Sequence, residues 1–125
     1  MTDKKRILVV DDDEEIVQTL AIVLNSLGYE VTGAGDGELG MEMQQQQPSD
    51  LMIVDLKMPN KDGFEMLKEL EEAGVKAPAI VITGQPGDWQ EGQAAKLGVK
   101  HFIRKPFDMG YLVECVERSL RVSAG

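Results

Sequence analysis

The chain is short of the residues that build disulfides, zinc sites and thiol chemistry. Its 125 residues include one cysteine, Cys115, and one histidine, His101. A single cysteine excludes an internal disulfide and suits a reducing compartment, and without a Cys/His cluster there is no zinc signature. Positive charge is scarce too: 13 Lys and Arg stand against 22 Asp and Glu, a net charge of −9. That balance argues against direct nucleic-acid binding and against gripping an anionic membrane, and it favours cations and basic faces on partner proteins. No stretch is apolar for long enough to span a membrane, and the polar start Met1-Thr2-Asp3-Lys4-Lys5-Arg6 is not a signal peptide. No linker, repeat or second zone of composition appears. The expectation is one cytoplasmic domain over residues 1–125, with its core at about 5–121. A length of 125 residues with 42% hydrophobic residues is enough for an ordinary core.

What is present is a set of short apolar runs that each stop on a polar group. Ile7-Leu8-Val9-Val10 stops on Asp11, Asp12 and Asp13; Leu51-Met52-Ile53-Val54 stops on Asp55; Ala79-Ile80-Val81-Ile82 stops on Thr83. Runs this short, bounded by turn residues, read as parallel strands covered on both faces. Tyr29 to Gly33 alternates, and Val99 to Ile103 is short and followed by Lys105-Pro106, so both suit sheet edges. Between these strands lie helical patterns. One carries Ile16, Leu20, Val23 and Leu27 and closes at Gly28. A second carries Leu39 and Met43, with Gln44 to Gln47 as a solvated end stopped by Pro48. A third carries Phe64, Leu67 and Leu70, and the last carries Leu112, Val116 and Leu120. A further helix, weakly supported by intrinsic preference, is predicted around Asp88 to Leu97. Met41, Met43 and Met66 read as core filler, Cys115 as a core or boundary residue, His101 as an edge-strand surface residue, and Trp89 as either packed over the sheet edge or exposed.

Five strands alternating with five helices form a doubly wound α/β domain, a three-layer sandwich of the flavodoxin-like class. With the double-sided strands central, the strand order is 2-1-3-4-5. The carboxyl ends of the first and third strands are then neighbours, so Asp11, Asp12 and Asp55 converge, while Thr83 and Lys105 face the same crevice. Carboxylates held together repel, which is relieved by a retained proton or by a cation among them. An oxygen-only cluster open to water suits Mg²⁺. With a hydroxyl and an ammonium beside it, the cluster is a receptor for a phosphoryl group, and Asp55 at its centre is placed to be the nucleophile.

Residues through most of the chain carry a family likeness. They are Ile7-Leu8-Val9-Val10-Asp11-Asp12, Ala34-Gly35-Asp36-Gly37, Asp55 with Met58-Pro59-Asn60-Lys61-Asp62-Gly63-Phe64-Glu65, Ile82-Thr83-Gly84, Gly98, and Lys105-Pro106-Phe107. In this order and spacing the chain resembles the receiver domain of the bacterial two-component response regulators, the superfamily of the chemotaxis response protein. The resemblance implies that Asp55 is the phosphoacceptor. It implies that Asp12 ligates Mg²⁺ directly (Mn²⁺ being a substitute), with Asp11 acting mostly through water and the backbone carbonyl of Lys57 completing the shell. Thr83 and Lys105 hold the phosphoryl oxygens, the bond before Pro106 is cis, and Phe102 is the aromatic switch residue. Lys57 and Gln85 flank the phosphoryl group. A histidine kinase or phosphotransfer protein is the implied donor. The output is a changed face on the fourth predicted helix, the fifth strand and the closing helix, read by an effector protein or by a C-terminal output domain. Such a domain is a switch that assists its own phosphorylation and dephosphorylation rather than an enzyme with turnover.

Two rivals share parts of this pattern. A haloacid-dehalogenase-type phosphatase also opens with an apolar strand and a D-x-D pair, but Glu14 stands where those enzymes have other residues, and their later acidic pair is missing. A flavodoxin-type FMN binder needs a Ser/Thr/Gly-rich first loop, and here that loop is acidic.

Overall fold

The computed structural model describes residues 4–58, 61–84 and 96–124, the last three without their side chains. In chain order the elements are β1 (Arg6–Val10), α1 (Glu14–Ser26), β2 (Glu30–Ala34), α2 (Gly37–Gln46), β3 (Leu51–Asp55), α3 (Gly63–Glu72), β4 (Ala79–Thr83), β5 (Val99–Arg104) and α4 (Met109–Ala124). The strands form one parallel sheet in the order β2-β1-β3-β4-β5. Four helices therefore stand among the described residues. The helix predicted around 88–97 and Trp89 within it lie outside them, save for the helical end at Lys96 and Leu97 in the turn after it.

Strand periodicity sorts the core into two halves, because successive side chains point to opposite faces of the sheet. Ile7, Val9, Ile53, Ile80 and Ile82 pack with Leu20 and Leu24 of α1 and with Leu112 and Val116 of α4. Leu8, Val10, Met52, Val54 and Val81 pack with Met66, Leu67 and Leu70 of α3. Every residue of β3 and β4 is buried, whereas the edge strands β2 and β5 are only partly so. The predicted central and edge strands are those observed.

Aspartates start three of the helices. Asp13 accepts from the N–H of Glu15 at 3.0 Å, Asp36 from that of Leu39 at 2.8 Å, and Asp62 from that of Glu65 at 2.8 Å. Each satisfies an amide that the helix itself leaves unpaired, and each puts negative charge at the positive end of the helix dipole.

Several helix faces differ from the predicted ones. In α1 the buried pair is Leu20 and Leu24, while Leu27 is half exposed, because it caps the helix just before Gly28 turns the chain with φ +97°. In α2 Leu39 is exposed and Gly37, Gly40 and Gln44 face inward. A Cβ on Gly40 would lie 2.9 Å from Val10 and 3.0 Å from the sulfur of Met66, so the helix sits too close to the sheet for a leucine there. Gln44 is fully buried, not part of a solvated end. Its Nε2 donates to the carbonyls of Lys76 (2.9 Å) and Ser49 (3.3 Å), and its Oε1 accepts from the Ser49 amide (3.0 Å) and hydroxyl (2.7 Å). In α3 Met66 is buried with Leu67 and Leu70, and Phe64 is half-buried. Cys115 is a buried core residue and His101 is half-buried on β5.

Candidate functional site

The site follows from strand register. Val10 pairs with Val54, so the next residues, Asp11 and Asp55, leave neighbouring strands side by side. Asp55 pairs with Ile82, which sets Thr83 one step further on, and Thr83 pairs with Arg104. The Lys105 amide donates to the Thr83 carbonyl at 2.8 Å, which starts the loop after β5 at this same crevice. The bond from Lys105 to Pro106 is cis, as the resemblance implied.

Three carboxylates meet there. One oxygen from each of Asp11, Asp12 and Asp55 lies within 4.8 Å of the others, with Asp11 and Asp55 buried and Asp12 exposed. The Lys105 ammonium reaches Asp11 Oδ2 at 3.5 Å and Asp55 Oδ2 at 3.4 Å. Backbone amides take the remaining oxygens of the buried pair: Asp13 N–H donates to Asp11 Oδ1 at 2.9 Å and Lys57 N–H to Asp55 Oδ1 at 3.3 Å. Thr83 is buried at the end of β4, while Phe102, half-buried on β5, packs against the same core half as Val81 and Val54. The site residues named from the sequence on β1, β3, β4 and the loop after β5 thus come together. Phe102 stands apart from the carboxylates, on the strand leading to Lys105.

The electrostatics have a clear sign. Burial pushes the Asp11 carboxyl up to about 6 from 3.8. The hydrogen bond from Asp13 and the Lys105 ammonium pull it down, and the charge of Asp55 pushes it up. Burial also works against the Lys105 ammonium, but Asp11 and Asp55 outweigh it and hold its pKa above the ordinary value. One lysine therefore serves two buried carboxylates, and negative charge is left over. The donor set is all oxygen, two buried carboxylates and one open to water, and it fits a hard divalent cation.

Gly63, named from the sequence within the Met58-to-Glu65 motif but without a role of its own, holds the far wall in place. A Cβ there would lie 2.5 Å from the Asp55 carbonyl and 2.7 Å from Val54, so any larger residue would drive α3 away from the end of β3. Its amide donates to the Leu56 carbonyl at 3.0 Å. The available signal was Asp62-Gly63, a helix cap followed by the smallest residue, eight positions after the central carboxylate.

Comparison with known proteins agrees with this geometry. The family profile described as response regulator receiver domain matches residues 7–117. The chain is 36% identical over 115 residues to response regulator RR06 of Streptococcus pneumoniae, covering 92% of this chain and 52% of that one. It is 34% identical over 103 residues to the alkaline phosphatase synthesis transcriptional regulatory protein PhoP of Bacillus subtilis, covering 82% and 43%. Among solved structures, the chemotaxis protein CheY4 of Vibrio cholerae superposes with a TM-score of 0.85 at 28% identity, over 94% of this chain and 100% of that one. The chain belongs to the response regulator receiver domain family. It spans about half the length of the curated relatives it matches. None of the described helices is long and apolar enough to cross a membrane.

Proposed function

We propose that Asp55 accepts a phosphoryl group from a histidine kinase or a phosphotransfer protein, and that residues 1–125 act as a single phosphoacceptor switch in the cytoplasm. The observation that carries this reading is the meeting of Asp11, Asp12 and Asp55 within 4.8 Å, with the Lys105 ammonium against the two buried members. A site built only for stability would not bury two carboxylates against one shared cation.

In the transfer, a carboxylate oxygen of Asp55 attacks phosphorus. The new O–P bond forms as the P–N bond to the donor imidazole breaks, and the imidazole keeps the electron pair and takes up a proton. Lys105 pairs with one phosphoryl oxygen and the Thr83 hydroxyl bonds another. Asp11, Asp12, Asp55 and the Lys57 carbonyl would hold Mg²⁺ (or Mn²⁺), Asp12 directly and Asp11 mostly through water. The ion supplies charge neutralisation at the transferring group. The same groups assist hydrolysis of the acyl phosphate when water replaces the imidazole, and the Lys57 side chain, two residues beyond Asp55, flanks the path of that water.

Thr83 and Phe102 then carry the signal. Thr83 turns toward the phosphoryl group, Phe102 rotates into the space released, and the face that includes β5 and α4 shifts between two pre-existing states. Its reader is an effector protein or a C-terminal output domain, without direct nucleic-acid binding by this domain.

Intact mass after incubation with a small phosphodonor and Mg²⁺ tests the reading. The wild type gains the mass of one phosphoryl group and Asp55→Asn gains none. Equal gain by the variant overturns it, and label trapped on Asp11 would favour the phosphatase-type chemistry instead.

A further inference from the structure

At the opposite end of the sheet lies a pocket that the phosphoacceptor role leaves unused. It has a volume of about 370 Å³ and opens between the C-terminal end of α3, the turn into β4 and the turn into β5. That volume is at the lower end of the range for small-molecule sites, about 300–1,000 Å³. Leu67, Val75, Pro78 and Leu97 give it an apolar floor. Three lysines stand on its rim, Lys76, Lys96 and Lys100, against one carboxylate, Glu71. On a chain of net charge −9 with 13 basic residues in all, three around one apolar hollow is a local reversal of sign.

Hydrogen bonds tie the backbone of the described walls at Val75, Lys76, Pro78 and Gly98. Gln44 Nε2 holds the Lys76 carbonyl at 2.9 Å. The Pro78 carbonyl accepts from Met52 at 2.8 Å, the Gly98 carbonyl accepts from Ala79 at 3.1 Å, and the Val75 amide donates to Leu70 at 2.9 Å. A pocket whose backbone is already tied to the sheet loses little freedom when filled, which favours binding. Leu67 and Leu97 also belong to the core half that holds Phe102, so the floor of the pocket is continuous with the packing around that residue.

We propose that this pocket binds a small organic anion with an apolar body, an aryl or alkyl acid whose hydrocarbon part lies on Leu67, Val75, Pro78 and Leu97 and whose acid group meets Lys76, Lys96 and Lys100. The charge complementarity selects an anion, and the concave apolar floor selects a compact molecule over a flat protein face. The site is independent of Asp55 and stands whether or not Asp55 is the phosphoacceptor.

The test titrates the protein with anilinonaphthalene sulfonate and, in parallel, with phenylnaphthylamine, which has the same apolar body without the acid. The sulfonate is expected to saturate one site per chain, with amide chemical-shift changes centred on Val75, Lys76, Leu97 and Gly98. Lys76→Gln/Lys100→Gln should weaken it by about fivefold to tenfold, as expected for losing one or two exposed ion pairs, and leave the uncharged analogue unchanged. These lysines are exposed, so the variant keeps the fold, and Asp55→Asn should bind like the wild type. Shift changes elsewhere, no saturation, or equal binding of the two probes overturns the proposal. Co-sedimentation with phosphatidylglycerol vesicles that competes with the sulfonate would overturn it in favour of a membrane surface.

Discussion

The two ends of the sheet solve the problem of buried polarity in opposite ways. At the amino end, Gln44 is fully buried and neutral, and both atoms of its amide are engaged by Ser49 and Lys76. At the carboxyl end, Asp11 and Asp55 are buried as potential anions and share one lysine. A neutral group with every partner in place rigidifies a fold, whereas two like charges with one counter-ion leave a demand that a cation or a proton must meet. The first end holds loops together, and the second is poised to take a ligand.

Gln44 should give the largest effect. Gln44→Ala removes the side-chain partner of the half-buried Ser49 amide and of the Lys76 carbonyl and leaves a cavity where the buried side chain was, so urea unfolding should show a loss of about 3 kcal/mol. A loss under about 1 kcal/mol would show that water replaces the amide, and the contrast between the two ends would shrink.

Asp11 should come next, and with the opposite sign. Its folded pKa of about 6 lies above the 3.8 of an ordinary Asp. Between those values the folded chain binds more protons than the unfolded chain, so stability falls as pH rises through the window. Below it the contribution is absent, and above it the full destabilisation remains, on the order of 2–3 kcal/mol. In metal-free buffer, Asp11→Asn should therefore be more stable than the wild type at pH 7, with the gap closing toward pH 4. A gap that does not change with pH would mean that burial does not govern this carboxyl.

Lys105→Met should lower stability at pH 7 by about 1–3 kcal/mol, since both buried carboxylates lose their shared cation. The same change in Asp55→Asn/Lys105→Met should cost less, and a double-mutant cycle in thermal unfolding measures the difference. Smallest, and most diagnostic of the carboxyl end, is the response to metal. Millimolar Mg²⁺ should raise the melting temperature of the wild type by a few degrees through mass action, and should do so far less for Asp12→Asn. Gln44→Ala, unstable as it is, should keep that response, because its damage lies at the other end of the sheet.

Much of this was legible along the chain. Apolar runs that stop on Asp11, Asp55 and Thr83 mark strand ends without reference to anything distant, and a parallel sheet brings strand ends to one side. Strand order and the shared crevice of Asp11, Asp12, Asp55, Thr83 and Lys105 followed from those local signals. Helix faces were less legible. Leu27 fits the apolar spacing of α1 as well as Leu24 does, and Leu39 is the obvious inward residue of α2, yet both are exposed. In α2 the deciding fact is how near the helix lies to Val10 and Met66, a distance between elements that no periodicity contains.

By itself the sequence determined which chemical groups end each strand and the order in which those strands follow, because backbone preference and side-chain period act over a few neighbouring residues. The tertiary structure alone decided which polar groups leave water. It buried Gln44 in a four-Gln run that looks solvated, pushed Asp11 up while Asp12 beside it stayed exposed, and set one lysine between two carboxylates. Desolvation and Coulomb energy depend on what surrounds a group in three dimensions, and those surroundings exist only once the strands have paired.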